Sequence, residues 1–121
     1  MAFKDLLAYK KSFDLAMKIF ETSKAFPREE IYSLTDQIRR SSRSVTVNIS
    51  EAYRKRLYPK HFISKLSDSD AENSETQTWL LFAKECNYID EIVLGRLISE
   101  SEEVGKLINY MINNPDKFGS K

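Results

Sequence analysis

Turn-forming residues are so scarce in this chain that few folds remain open to it. Its 121 residues include only 3 prolines and 3 glycines. A sheet protein needs many tight turns, whereas long helices need only a few short connections. Pro27, Pro59 and Pro115 therefore act as punctuation, because a proline pushes the residue before it out of helical geometry.

Between those marks, apolar residues recur at three- and four-residue spacing, the period of a helix with one buried face. The first helix is expected over about 4–24, with Tyr9, Phe13, Ala16, Met17 and Phe20 as its core stripe. The second is expected over about 34–57, opened by a capping box at Ser33-Leu34-Thr35-Asp36. Its core face carries Leu34, Ile38, Ser41, Ser42, Val45, Ile49 and Ala52. The third, over about 59–87, places Pro59 in the first helical position, where a missing N–H costs nothing. Its face carries Phe62, Leu66, Ser69, Asn73, Thr76, Leu80 and Ala83. Asp90 caps a fourth, over about 90–113, with Val93, Leu97, Val104, Leu107, Ile108 and Met111 as its stripe. A tail from about 115 is expected to fray. Together these predict a single all-α domain over 1–121, an up-down-up-down antiparallel four-helix bundle.

The same residues offer little for catalysis. His61 is the one histidine, and a general base needs partners to orient it. The single cysteine, Cys86, excludes an internal disulfide, suits a reducing compartment and is expected to pack as a small hydrophobe. Asp68-Ser69-Asp70-Ala71-Glu72 lacks the glycine and ligand spacing of a calcium loop, and its side chains diverge around a helix. Gly-rich phosphate loops, Cys-x-x-Cys pairs and nucleophile elbows are missing. The expectation is a non-enzyme with no cofactor, no metal and no small-molecule substrate. Neither a signal-peptide pattern after Met1 nor a membrane-length apolar run is visible, so the expected location is the cytoplasm.

Charge is more informative. The net charge is only +1, yet residues 39–65 hold eight basic residues against one acid, Glu51. Residues 66–103 hold ten acids against two basic residues, Lys84 and Arg96. Opposite its core face the second helix carries a further ordered stripe: Arg40, Arg43, Val47, Ser50 and Arg54. Covering a monomer core requires one stripe, not two. Arg39, Lys55, Arg56 and Lys60 widen this patch. Arginine suits both phosphate groups and subunit interfaces, so the patch is a candidate for either. Two other features stand out in the third helix. Its core face turns polar through Ser69, Asn73, Thr76 and Gln77, level with Ser41 and Ser42, which predicts a hydrogen-bonded layer across the bundle. Farther on, Trp79-Leu80-Leu81-Phe82 is apolar all round. Trp79, Leu81 and Phe82, with Val47, are candidate oligomer contacts.

Three stretches carry a resemblance. They are Ala25-Phe26-Pro27-Arg28-Glu29-Glu30-Ile31-Tyr32-Ser33-Leu34-Thr35-Asp36-Gln37-Ile38-Arg39-Arg40-Ser41-Ser42-Arg43-Ser44-Val45, then Asn48-Ile49-Ser50-Glu51-Ala52-Tyr53-Arg54, then Glu75-Thr76-Gln77-Thr78-Trp79-Leu80-Leu81-Phe82-Ala83. In this order, the chain resembles the bacterial four-helix bundle family named after proteins encoded in intervening sequences of large-subunit (23S) ribosomal RNA genes. The resemblance spans about Tyr9 to Ile112. It implies a homopentamer around a central channel and an association with ribosomal RNA that rests on gene location, with no established activity. A related branch comprises accessory proteins of diversity-generating retroelements, which form similar pentamers.

The leading expectation is a homo-oligomer, a pentamer, that binds RNA through Arg39, Arg40, Arg43 and Arg54. The rival is a structural or protein-interaction module whose arginines pair across subunits with Glu72, Glu75 or Glu100.

Overall fold

The computed structural model describes residues 2–120. Four long helices make up most of it: α1 over Leu7–Ser23, α2 over Asp36–Arg54, α3 over Pro59–Glu85 and α4 over Glu91–Asn113. Among the described residues there is no strand. Interhelix contacts fix the topology. Ser12 meets Thr46 while Ser23 meets Arg39, so α2 runs back along α1. Ser41 meets Thr76 while Glu51 meets Lys65, which reverses α3 against α2. Asn73 meets Ser101 while Asp70 meets Asn109, which reverses α4 against α3. Lys18 to Glu100 and Lys11 to Glu103 close the ring between α1 and α4. This is the up-down-up-down four-helix bundle.

Local chemistry sets the helix ends. Pro59 is the first residue of α3. The Asp90 carboxylate accepts the Val93 N–H at 2.8 Å, capping α4. α3 closes with Asn87 at φ 62°, a left-handed position that asparagine tolerates better than most residues. The N–H groups of Asn87 and Tyr88 then donate to the carbonyls of Lys84 and Ala83 at 2.9 and 2.8 Å, a Schellman closure.

Several expectations need correcting. The capping box at Ser33-Asp36 does not form. The chain is already helical there, through a 3₁₀ turn over Arg28–Glu30 and a π-helical turn over Ile31–Thr35. Pro27, extended at ψ 149°, is the real boundary, and the Ser33 hydroxyl donates to the Glu30 carboxylate at 2.5 Å instead. The first helix starts at Leu7 rather than 4, because Leu6 is extended and buried ahead of it. Of the tail expected to fray, Lys121 lies outside the described residues, and the segment 115–120 is folded. It forms a short 3₁₀ helix over Pro115–Phe118, with the Phe118 ring against Tyr110 and packed on the core. Gly119, at φ 83°, lies where a Cβ would come within 3.3 Å of the Arg56 side chain. Cys86 is exposed, one residue beyond the last turn of α3, rather than packed.

The faces read for the second and third helices are the buried ones. Ile38, Ile49, Phe62 and Leu66 are completely buried. Each such side chain stabilises the fold by about 1.5–3 kcal/mol relative to exposure. α1 buries its expected stripe only in part, at Ala16, with Tyr9 packed on the core. Its buried face is Ala8, Ser12, Leu15, Ala16, Ile19 and Ser23, whereas Phe13 and Met17 are exposed. That helix carries apolar residues on more than one face, and Phe13 and Met17 lost the competition for the interior.

A polar layer does cross the bundle, and it reaches farther than a two-helix layer. Ser41 and Thr76 share a hydrogen bond of 2.8 Å, and Thr46 donates to Ser12 at 2.9 Å. Asn73 and Gln77 turn to α4, not α2. The Asn73 amide donates to the Ser101 carbonyl and its oxygen accepts from the Ser101 hydroxyl, both at 2.9 Å. Gln77 donates to the same hydroxyl at 2.9 Å. Ser42 is buried and donates to the Arg39 carbonyl of its own helix. Satisfied in this way, the layer fixes helix register, since a slip by one turn would strand buried polar groups.

Candidate nucleic-acid interface

Core packing on α3 and α1 turns the arginine stripe of α2 outward, but the stripe is not uniform along its length. In the N-terminal half the guanidinium groups are engaged within the chain. Arg39 donates from Nε to the Ser23 hydroxyl at 2.8 Å, and its guanidinium lies 4.7 Å from the centre of the Phe20 ring. Arg43 lies over the same ring at 5.6 Å. Arg40 donates to Glu72 at 3.0 Å and to Glu75 at 2.5 Å, bridging α2 to α3. The hydrogen bond with Arg40 holds the Glu72 carboxyl below the usual carboxylate range, against the opposing effect of its partial burial. The same bond pushes the arginine up.

The C-terminal half differs. Arg54, Lys55 and Lys60 are exposed, and no ion pair within 4.0 Å engages them among the described residues. Arg56 is turned inward, donating to the Tyr53 carbonyl at 2.8 Å with its guanidinium 4.2 Å from the Tyr53 ring. Lys65 pairs with Glu51 at 2.9 Å. The four residues between α2 and α3 close a turn in which the Tyr58 N–H donates to the Lys55 carbonyl at 2.9 Å. Leu57 and Tyr58 at its tip are 78% and 65% exposed.

The candidate oligomer contacts divide as well. Val47 is 51% exposed and lines a groove of about 360 Å³ between α1 and α2, with Phe13, Met17, Tyr9 and Arg43. Phe13 and Met17, expected on the core stripe of the first helix, are surface residues instead, because Leu15 and Ile19 fill the interior. Leu81 and Phe82 are exposed on α3. Trp79 is half-buried instead, packed on the core edge and against Phe82, with its Nε1 donating to Glu75 at 3.1 Å. One Glu75 carboxylate thus orients both Arg40 and Trp79. Glu100, the third acid considered for cross-subunit pairing, binds Lys18 of its own chain at 2.9 Å.

At the opposite end of the bundle, the Tyr88 hydroxyl donates to Glu30 at 2.8 Å, and its ring packs on Phe26. The Glu30 carboxylate pushes the Tyr88 hydroxyl up to about 12. This clasp joins the two connections at that end. Among the described residues, no group of three His, Cys, Asp or Glu side chains gathers to hold a metal. No helix among them is long and apolar enough to cross a membrane.

Comparison with known proteins adds two findings. A family model described as 23S rRNA-intervening sequence protein matches residues 4–110. The chain is also similar to a crystal structure of a protein of unknown function from the S23 ribosomal protein family of Bacteroides thetaiotaomicron VPI-5482. That likeness has a TM-score of 0.81 at 30% identity, covering 91% of this chain and 98% of the other. None of the curated proteins matches the chain significantly.

Proposed function

This chain belongs to the 23S rRNA-intervening sequence protein family, and from that premise we propose a non-enzymatic, homo-oligomeric protein that binds ribosomal RNA. The observation that carries the RNA reading is the group Arg54, Lys55 and Lys60, exposed and without an ion pair among the described residues, in a segment with eight basic residues and one acid. Arg39 and Arg40 are occupied within the chain, so the phosphate contacts fall to the C-terminal half of α2 and the residues just beyond it. Binding of this kind releases counterions, is weakly sequence-specific and weakens steeply with salt. Self-association is supported by the α1–α2 groove and by the exposed Leu81 and Phe82, apolar surface that a second copy would cover. The number of copies assigned is five, as the resemblance implies.

Two measurements test this. Solution mass should be five times the 14.1 kDa of the chain, and a strict monomer would refute the assembly. Binding to ribosomal RNA fragments should fall with salt, and Arg54→Gln, Lys55→Gln, Lys60→Gln together should flatten the log–log slope by about 2. An unchanged slope would remove these residues from the interface.

One observation favours a second reading, a protein-interaction module with no RNA role. Arg40, expected to serve phosphate or a partner subunit, spends its charge on Glu72 and Glu75 of its own chain. Assembly in full with no RNA affinity at any salt concentration would select that reading.

A further inference from the structure

We propose that the tip between α2 and α3 is a stacking clamp for an unpaired stretch of RNA. Tyr58 and His61 would take the base and Arg54, Lys55 and Lys60 the flanking phosphates. The proposal rests on the RNA reading above and specifies which form of RNA is held, and by which atoms.

The tip is over-equipped for its structural task. Pro59 starts α3, and Phe62, completely buried, anchors its first turn in the core. Closing a four-residue turn requires no aromatic ring. Tyr58 nevertheless stands 65% exposed, and its one aromatic neighbour is the exposed His61, with ring centres 6.0 Å apart and planes inclined at 56°. Rings so inclined are not stacked on each other, and the exposed Tyr58 has surface to offer a flat guest. Beside them lies a shallow depression of about 350 Å³ walled by Lys60, His61, Ser64 and Lys65. Lys60 brings a cation with no ion pair among the described residues to its wall and Ser64 a hydroxyl, while Lys65 on the far side is held by Glu51. Arg54, the last residue of α2, and Lys55, its C-cap, stand on the other arm of the same turn.

An exposed ring beside Arg54, Lys55 and Lys60, which have no ion pair among the described residues, matches the chemistry of single-strand recognition: aromatic faces stack bases while cations follow the backbone. In a duplex every base face is already stacked on its neighbour, and the A-form helix offers mainly phosphates and 2′-hydroxyls across a shallow minor groove. A stacking tip therefore discriminates in favour of loops, bulges and free ends. An anionic membrane is the competing occupant, since Leu57 and Tyr58 are both exposed amid positive charge.

The test uses fluorescence anisotropy on the full chain with three probes. These are a 12-nucleotide single-stranded RNA, the same sequence as a duplex, and vesicles containing phosphatidylserine. The unpaired RNA should bind at least about tenfold more tightly than the duplex, and Tyr58→Ala should weaken it roughly 10- to 100-fold. Because Tyr58 is exposed, that variant should melt as the parent does. Tyr58→Trp should restore binding, and its indole fluorescence should be quenched by the RNA. If Tyr58→Ala binds like the parent while the Arg54, Lys55 and Lys60 variant loses binding, the clamp is wrong and the phosphate reading stands. If duplex and single strand bind equally, the clamp is also wrong. No binding to either RNA defeats the underlying RNA reading itself. Binding to vesicles alone, lost in Tyr58→Ala, would overturn the proposal in favour of a membrane surface.

Discussion

The two halves of α2 carry the same kind of residue at the same helical spacing and use it differently. Near the N-terminus, Arg39 and Arg40 are tied to Ser23, Phe20, Glu72 and Glu75, so their cations fasten α2 to both of its neighbours. Near the C-terminus, Arg54 and Lys55, with Lys60 beyond the turn, have no such partner among the described residues. The difference lies in what α1 and α3 present at each level. Beside the first half, α3 offers two carboxylates and α1 an aromatic ring. Beside the second half, α3 instead presents Lys65, which takes up Glu51 of α2 itself. An ordered stripe of arginine is therefore no single object: its position along the bundle decides whether it acts as fastening or as free surface.

The largest expected effect checks that the halves share one core. Ile38 and Ile49 are both completely buried, one beneath each half. Ile38→Ala and Ile49→Ala should each lower stability by about 3 kcal/mol in urea unfolding. Costs differing by more than about 2 kcal/mol would place the contrast in packing rather than in the outer face.

Next comes an exchange of phenotypes. Arg54→Gln, Lys55→Gln, Lys60→Gln should reduce affinity for unpaired RNA roughly 50-fold near physiological salt, from three lost phosphate contacts, with no change in melting temperature. Arg39→Gln, Arg40→Gln should do the reverse, lowering melting temperature and leaving RNA affinity within about twofold. Loss of RNA binding in the second variant would erase the distinction between the halves.

A smaller effect sharpens the N-terminal half. In a double-mutant cycle, Arg40→Ala with Glu72→Ala should show a coupling of about 1 kcal/mol, the upper end for exposed pairs because Arg40 reaches two carboxylates. Additive costs would mean the bridge contributes nothing.

The smallest effect is in pH. The Glu72 carboxyl is held below its ordinary value in the folded chain, chiefly by Arg40. Its contribution is therefore complete above the unfolded value of 4.5 and is lost as pH falls through the folded one. Stability measured from pH 6 down to pH 3 should decline less in Glu72→Gln than in the parent, by less than about 1 kcal/mol. Parallel curves would show that Arg40 leaves this carboxyl unperturbed.

Much of this was legible in the sequence. Three prolines and three glycines admitted few folds other than long helices, and the spacing of Ile38, Val45, Ile49, Phe62, Leu66 and Leu80 marked the faces that are buried. Asp90 and Pro59 marked two helix starts because capping depends on a residue and its near neighbours. Charge segregation and the Arg40–Arg54 stripe were equally plain. What depends on residues far apart in the chain required the tertiary structure. α1 has apolar residues on more than one face, and only packing in the bundle buried Leu15 and Ile19 and left Phe13 beside Val47 in an open groove. Asn73 reaches Ser101 on α4, and the tail after Pro115 folds onto Arg56, because those groups meet only once the helices cross. The division of the arginine stripe has the same origin. Periodicity places a side chain on a face of its own helix, but its partner, 32 residues away for Arg40 and Glu72, is set by the register between helices.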